Sequence, residues 1–365
     1  MKVKLESLDL FCGIGGMSLG LHEIASPLLF CDKLPEARSV IEARMKDGSL
    51  PKAAFVDDVR KVRRRKNLRA DLVCGGFPCV GFSSSGKREG FENSKTRIYH
   101  EFVKTVAKAR PRIVFMENVP GVIKGLPRIH RDFKALGYEL LWTLLAACQV
   151  GAPHRRNRWF CIAYRPGDIQ DIPVPKKSVF QWTRQDMPDR TTNRPYLPMR
   201  VALQGNSLVP EAARVAFAYL VVLAKHLESE GLPPNTKVLK DRSKYPKYGF
   251  TIKNRIYETP KSHRLYLPVC TKMRIAMDPK KYRSKKPFPN VRHRTKRITT
   301  TVHKDRFATP RFSMTQPANH LTRRTINDLP TQMRFLSERG KTTKKYANPD
   351  FVDWMMGYPP GWTKT

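Results

Sequence analysis

Apolar and polar positions alternate in blocks through the first 165 residues. SLDLF (7–11) is a short apolar run that ends in a glycine turn, and MSLGLHEIA (17–25) follows with helical spacing. SPLLFCD (26–32) reads as a second strand and EARSVIEARM (36–45) as a second helix. DLVCGG (71–76) and RIVFMENV (112–119) are two further strands with the continuous apolar character of buried sheet. ELLWTLLAA (139–147) and RWFCIAYR (158–165) complete the set and are expected to pair antiparallel at one edge. Strands alternating with helical patterns predict an open α/β sheet, mostly parallel, with helices on both faces. Ligands of such sheets bind outside the carboxyl ends of the strands.

Residues 166–200 form a connector rich in Pro and Arg. The stretch 200–228 reads as a glycine turn followed by a long amphipathic helix. Beyond 229 helical periodicity weakens, and Lys and Arg outnumber Asp and Glu roughly three to one, with Tyr, Pro and His interleaved. The last stretch, NPDFVDWMMGYPPGWT, is apolar and aromatic again, as a segment that packs back on the first part would be. Three units are therefore expected: 1–228 as a catalytic domain, 229–347 as a basic second region, and 348–365 as a returning segment.

Charge adds a partner to this picture. The 365 residues carry a formal net charge of +38, which calls for a polyanion, nucleic acid foremost. The seven cysteines are scattered and none lies in a CxxC pair, so neither a disulfide framework nor a thiolate metal site is expected. No run of about 18 apolar residues occurs, and the N-terminus lacks an apolar stretch ending in a cleavage site. An intracellular protein without a membrane span is the expectation, acting as a monomer.

Candidate chemistry clusters at the expected strand ends. LDLFCGIGG (8–16) is a strand, a glycine turn and a helix start, whose free N–H groups and bare backbone suit close approach of a ligand. Asp32 ends the next strand, where a carboxylate either accepts hydrogen bonds from a ribose diol or caps a helix. VDDV (56–59) offers Asp58 as a further ligand group or forms an ordinary turn. In FPCVGFS (77–83), Cys79 is either a thiolate nucleophile in an electropositive loop or a structural cysteine. Glu117 ends a buried strand, where an acid is costly unless it is satisfied or has a purpose. Arg156 and Arg158, two apart, share a face if the backbone is extended, and together suit a carbonyl oxygen or a phosphate.

Taken in order, FCGIGG, PC, ENV, RxR and GNS resemble the motif series of the DNA (cytosine-5) methyltransferases over residues 1–220, and the C-terminus looks like that of some phage, viral and bacterial members. The resemblance implies a Rossmann-like class I S-adenosylmethionine-dependent methyltransferase fold with a basic C-terminal target-recognition region acting on double-stranded DNA. It implies that Cys79 attacks carbon-6 of a flipped-out cytosine, that Glu117 polarises the ring at nitrogen-3, and that Arg158 and Arg156 hold the carbonyl oxygen. It implies that Phe11, Gly13, Gly15 and Gly16 pack on S-adenosylmethionine, that Asp32 takes its ribose, that Asp58 and Val59 contact its adenine, that Pro78 lies beside that pocket, and that Asn206 closes the methionine end. Asn118 is expected to orient the loop. No metal is implied.

Three departures from the family pattern stand out. Val80 and His154 occupy positions where the family usually has glutamine, and both are expected to alter contacts around the flipped base. Only about 40 residues separate RxR from GNS, too few for a recognition domain, which places that domain in 229–347 instead. Two rivals stay open: a tRNA cytosine-5 methyltransferase of the same fold, and a catalytically silent DNA-binding protein.

Overall fold

The computed structural model describes residues 4–78, 81–82, 90–93, 96–183, 185–189, 191–192, 198–239, 241, 245–265 and 346–365. Four parallel pairings make its centre. Strand β1 (Leu5–Leu10) lies between β2 (Ala25–Cys31) and β4 (Leu72–Gly75), with β3 (Ala54–Val56) outside β2 and β5 (Ile113–Asn118) outside β4. The chain steps outward from β1 to β3, then returns to the other side of β1 to form β4. That reversal opens a crevice between the loops that follow β1 and β4.

Alternation within each strand builds two cores. In β5, Ile113 and Phe115 join one apolar cluster while Val114 and Met116 join the other, and all four are fully buried. Helices α1 (Gly16–Leu21), α2 (Pro35–Lys46) and α7 (Pro210–Ser229) cover the first face. Helices α3 (Val59–Arg64), α4 (Tyr99–Ala109) and α5 (Leu126–Ala135) cover the second. In α5, Leu126, Ile129, His130 and Phe133 fall at i, i+3, i+4 and i+7, the stripe an amphipathic helix buries. The segment Leu203–Ser229 is long and apolar enough to cross a membrane, but 67% of its most apolar window is buried, and Phe217, Leu220 and Ala224 pack into the first core. The architecture is a doubly wound α/β sheet, parallel at its centre, with helices on both faces.

The structure corrects the expected edge. Strand β7 (Asn157–Tyr164) runs antiparallel between β5 and β6 (Glu139–Ala146), and the sheet does not stop at β6. The hairpin of β10 (Gly249–Ile252) and β11 (Arg255–Glu258) continues it, followed by β9 (Lys237–Val238), giving ten strands. Lys253 and Asn254 turn this hairpin with φ of 46° and 64°, the left-handed pair that a tight two-residue hairpin needs. Gly249 lets it dock, since a Cβ there would lie 2.6 Å from the Trp142 ring and 2.6 Å from the Tyr257 carbonyl. Strands from residues assigned to the second, basic region are thus part of the main sheet.

Two smaller expectations also change. The glycine of GNS does not form a turn: Gly205 and Asn206 are the last residues of helix α6 (Pro198–Asn206). The connector is more than a linker, because Ile169, Ile172 and Trp182 are buried in the first core. The C-terminal helix Pro349–Met355 packs on that same core, with Phe351, Trp354 and Met355 buried.

Candidate active site

The glycine turn after β1 is held from several sides. Phe11, Gly13 and Gly15 all have left-handed backbones, with φ of 56°, 52° and 84°. Asp32 accepts the Gly13 N–H at 2.8 Å through one carboxylate oxygen and the Leu34 N–H at 2.9 Å through the other. It therefore clamps the turn to the end of β2 while staying half-buried beside the crevice. Burial raises its pKa, against the pull of those N–H groups. Of the three glycines in this turn, Gly13 alone has open space where a side chain would project. A Cβ on Gly15 would meet Ile41 and Leu50, each at 2.9 Å, and one on Gly16 would meet the Tyr358 hydroxyl. Gly15 and Gly16 thus permit close packing within the protein, and Gly13 leaves the crevice open.

At the next strand end, Asp58 caps α3 by accepting the Arg60 N–H at 2.8 Å, and Val59 is buried behind it. VDDV is therefore a strand end and a helix cap, not a simple turn. Asn206 is exposed, and the buried Arg156 guanidinium donates to the carbonyls on either side of it, to Gly205 at 3.0 Å and to Ser207. These groups suit S-adenosylmethionine: a bare backbone at Gly13, carboxylates at two successive strand ends, and the ring of Phe11, which lies 6.3 Å from that of Phe102.

Catalytic candidates gather at the ends of β4 and β5. Arg158 Nε donates to Glu117 Oε1 at 2.9 Å, with side chains 20% and 14% exposed. Glu117 leans over the end of β4, where a Cβ on Gly76 would lie 2.9 Å from Glu117 Oε2. Burial raises the Glu117 pKa, while the charges of Arg158 and then Arg156 oppose the shift. Asn118 donates to the Phe77 carbonyl at 3.0 Å and accepts the Val119 N–H at 2.9 Å, which fixes the backbone leading to Pro78. Cys79 and Val80 themselves lie outside the described residues. Burial pushes the thiols of Cys12, Cys74 and Cys161 up, and that of Cys31 to about 12, so these four are poor nucleophiles.

The arginine pair is corrected. Arg156 has φ 24° and precedes β7, so it is not extended, and its side chain turns away from that of Arg158 toward the end of α6. His154 is corrected too. It is fully buried, its Nε2 lies 3.0 Å from the Met355 carbonyl, and burial lowers its pKa to about 3, so it is a neutral donor to the C-terminal helix and not part of the base pocket.

Asp9 was not among the sequence candidates. It is fully buried in β1, where one oxygen accepts the Ser18 N–H and hydroxyl at 3.2 and 2.6 Å, and burial lifts its pKa to about 6. The signal was the one used for Glu117, an acid inside an apolar strand.

A family model described as C-5 cytosine-specific DNA methylase matches residues 5–339. The type II methyltransferase M.CviJI of Paramecium bursaria Chlorella virus IL3A is 29% identical over 377 residues, covering 98% of this chain and 97% of that one. The type II methyltransferase M.HhaI of Haemophilus parahaemolyticus is 31% identical over 179 residues, 48% of this chain and 53% of that one. The S. pombe Dnmt2 methyltransferase structure overlaps at a TM-score of 0.36 with 20% identity, over 44% of this chain and 49% of that one. The chain belongs to the C-5 cytosine-specific DNA methylase family and is a DNA (cytosine-5-)-methyltransferase that uses S-adenosylmethionine.

Proposed function

We propose that methylation proceeds by covalent catalysis on a cytosine flipped out of duplex DNA, with Cys79 as nucleophile and Glu117 as the acid that activates the ring. The observation that carries this reading is the Glu117–Arg158 pair, held at 2.9 Å over the end of the strand that leads to Cys79.

The Cys79 thiolate adds to carbon-6 as Glu117 delivers a proton, or a hydrogen bond, to nitrogen-3. Electron density then reaches carbon-5, which forms a bond to the incoming methyl group. When bound, S-adenosylmethionine would supply that methyl group in electrophilic form, its sulfonium sulfur keeping the electron pair of the broken sulfur–methyl bond and leaving as S-adenosylhomocysteine. A base removes the carbon-5 proton, carbon-6 expels the thiolate, and nitrogen-3 returns its proton. Splitting one hard substitution into addition and elimination is the general advantage of a covalent route. A carboxyl with a raised pKa suits proton donation near neutral pH. Arg158 orients that carboxyl and presents positive charge to the cytosine carbonyl oxygen. Arg156 acts through the backbone around Asn206, as a positioning residue.

For the cofactor, Gly13 and Phe11 provide the floor, Asp32 the ribose acceptor, Asp58 and Val59 the adenine end, Pro78 the wall beside it, and Asn206 the methionine end. Flipping the cytosine costs a few kcal/mol, which phosphate contacts must offset. Residues 266–345 hold 21 Lys and Arg against 4 Asp and Glu, so target recognition and most phosphate contacts are assigned there, beyond the last strand of the ten-stranded sheet. The type II designation of its relatives suggests a restriction–modification setting.

The test is transfer of labelled methyl groups to duplex DNA and to tRNA in parallel. Transfer to duplex cytosine alone supports the reading, and transfer to tRNA alone overturns it.

A further inference from the structure

The geometry points to the C-terminal segment 348–365 as the device that shapes the cofactor cradle, with Trp362 and Tyr358 as its positioning residues. This rests on the assignment of the Phe11–Gly16 turn and Asn206 to the cofactor.

The Trp362 indole N–H donates to the Ile14 carbonyl at 2.8 Å, and the ring is 1% exposed. Ile14 lies between Gly13 and Gly15, both left-handed. A stretch with three left-handed residues in five has little intrinsic preference for its shape, so an outside partner that fixes its central carbonyl sets that shape. The Tyr358 hydroxyl donates to the Leu208 carbonyl at 3.1 Å, two residues beyond Asn206, and fills the space that a Cβ on Gly16 would take. One short segment thus contacts the glycine turn and the backbone two residues beyond Asn206, which are far apart in sequence.

The segment is itself anchored. Arg200 of α6 pairs with Asp350 at 2.6 Å and with the buried Asp353 at 3.2 Å, and Gln204 donates to Asp353 at 2.6 Å. Trp182 donates to the Trp354 carbonyl at 2.8 Å. The Arg44 guanidinium lies 5.7 Å from the centre of the Trp362 ring and donates to the Lys364 carbonyl at 3.2 Å. Filling a core would require only the rings. The two polar tips aimed at backbone carbonyls of the cradle are what a positioning role requires.

The test uses full-length Trp362→Phe and Tyr358→Phe, which keep most of each ring and lose the N–H or the hydroxyl. S-adenosylmethionine affinity is measured by calorimetry without DNA, beside duplex binding and kcat at saturating cofactor. Each variant should bind the cofactor about five- to tenfold more weakly, the loss of one hydrogen bond, with kcat and DNA affinity unchanged. Unchanged cofactor affinity with a lower thermal midpoint would overturn the proposal in favour of packing alone. Tyr358→Phe, which removes a single oxygen, decides the matter if Trp362→Phe does not fold. Gly13→Ala, whose Cβ enters open space but whose φ of 52° strains any side chain, separates the two readings once its thermal midpoint is measured beside its cofactor affinity. If it leaves cofactor affinity intact, the cradle assignment itself fails. If it weakens binding while Trp362→Phe and Tyr358→Phe do not, only the positioning role fails.

Discussion

Replacing Glu117 by Gln preserves shape and removes a proton donor and a charge. In the native site the carboxylate sits 2.9 Å from Arg158 Nε, with side chains 14% and 20% exposed. Charges about 4 Å apart at an effective dielectric near 20 attract by about 4 kcal/mol, but burying both charges offsets much of that gain. The glutamine carbonyl still accepts from Arg158, so folding stability should change by no more than about 2 kcal/mol. Catalysis should suffer more. A positioned general acid contributes roughly 10²- to 10⁴-fold, or about 3–5 kcal/mol of barrier. The assay is single-turnover methyl transfer to duplex DNA across pH, with urea unfolding in parallel. Burial raises the Glu117 pKa, so the acid form persists above the ordinary carboxylate range, and the wild-type rate should fall as pH rises through the raised value. Glu117→Gln should be slow and lack that limb. A folded variant within about tenfold of wild type, with the limb retained, would refute the assignment of Glu117 as the acid.

Three further outcomes follow from burial. His154 ionises at about 3 when folded against 6.5 unfolded, so it lowers stability as pH falls below 6.5. His154→Gln should remove about 2 kcal/mol of the loss between pH 7 and pH 5 in denaturant titrations, and an unchanged slope would contradict its burial as a neutral donor. Asp9 has the opposite sign: with its pKa raised from 3.8 to about 6, the folded state binds the extra proton, and stability falls as pH rises through that window. Asp9→Asn should therefore flatten the slope between pH 4 and pH 6 by about 2 kcal/mol, measured the same way, and a slope like that of wild type would count against it. Gly249→Ala would push a methyl into Trp142 and the Tyr257 carbonyl, and should lower unfolding stability by about 2 kcal/mol. A neutral effect would mean that the β10–β11 hairpin does not dock on β6.

The sheet was legible where strands are buried on both faces. The apolar runs at 7–11, 26–32, 71–76, 112–119, 139–147 and 158–165 all became strands, within a residue or two at their ends. Strand β3 escaped because it is three residues long and only partly buried, so no run of apolar letters marks it. Helices α4 and α5 were missed although Phe102, Val106 and Ala109, and then Leu126, Ile129 and Phe133, carry helical spacing. The hairpin 249–258 was absorbed into the basic region because charge dominates that stretch, while its alternation of Phe250 with Ile252 and of Ile256 with its neighbours is brief. At the site, residue types and order were readable, but directions were not. That Arg156 points to α6 and Arg158 to Glu117 depends on one left-handed backbone angle, which no local pattern announces. His154 likewise looked like a pocket residue because its partner, Met355, is 201 positions away.

The central claim is that one cysteine, Cys79, forms the covalent bond to the base. It is tested most directly by incubating the enzyme and S-adenosylmethionine with duplex DNA carrying 5-fluorocytosine at target sites and measuring the mass of the complex. Fluorine cannot leave as a proton does, so the addition product persists. Wild type and Cys74→Ala should form a stable adduct of protein, DNA and one methyl group, and Cys79→Ser should form none. An adduct that survives in Cys79→Ser, or its absence from wild type on DNA that the enzyme methylates when cytosine is present, would contradict the account.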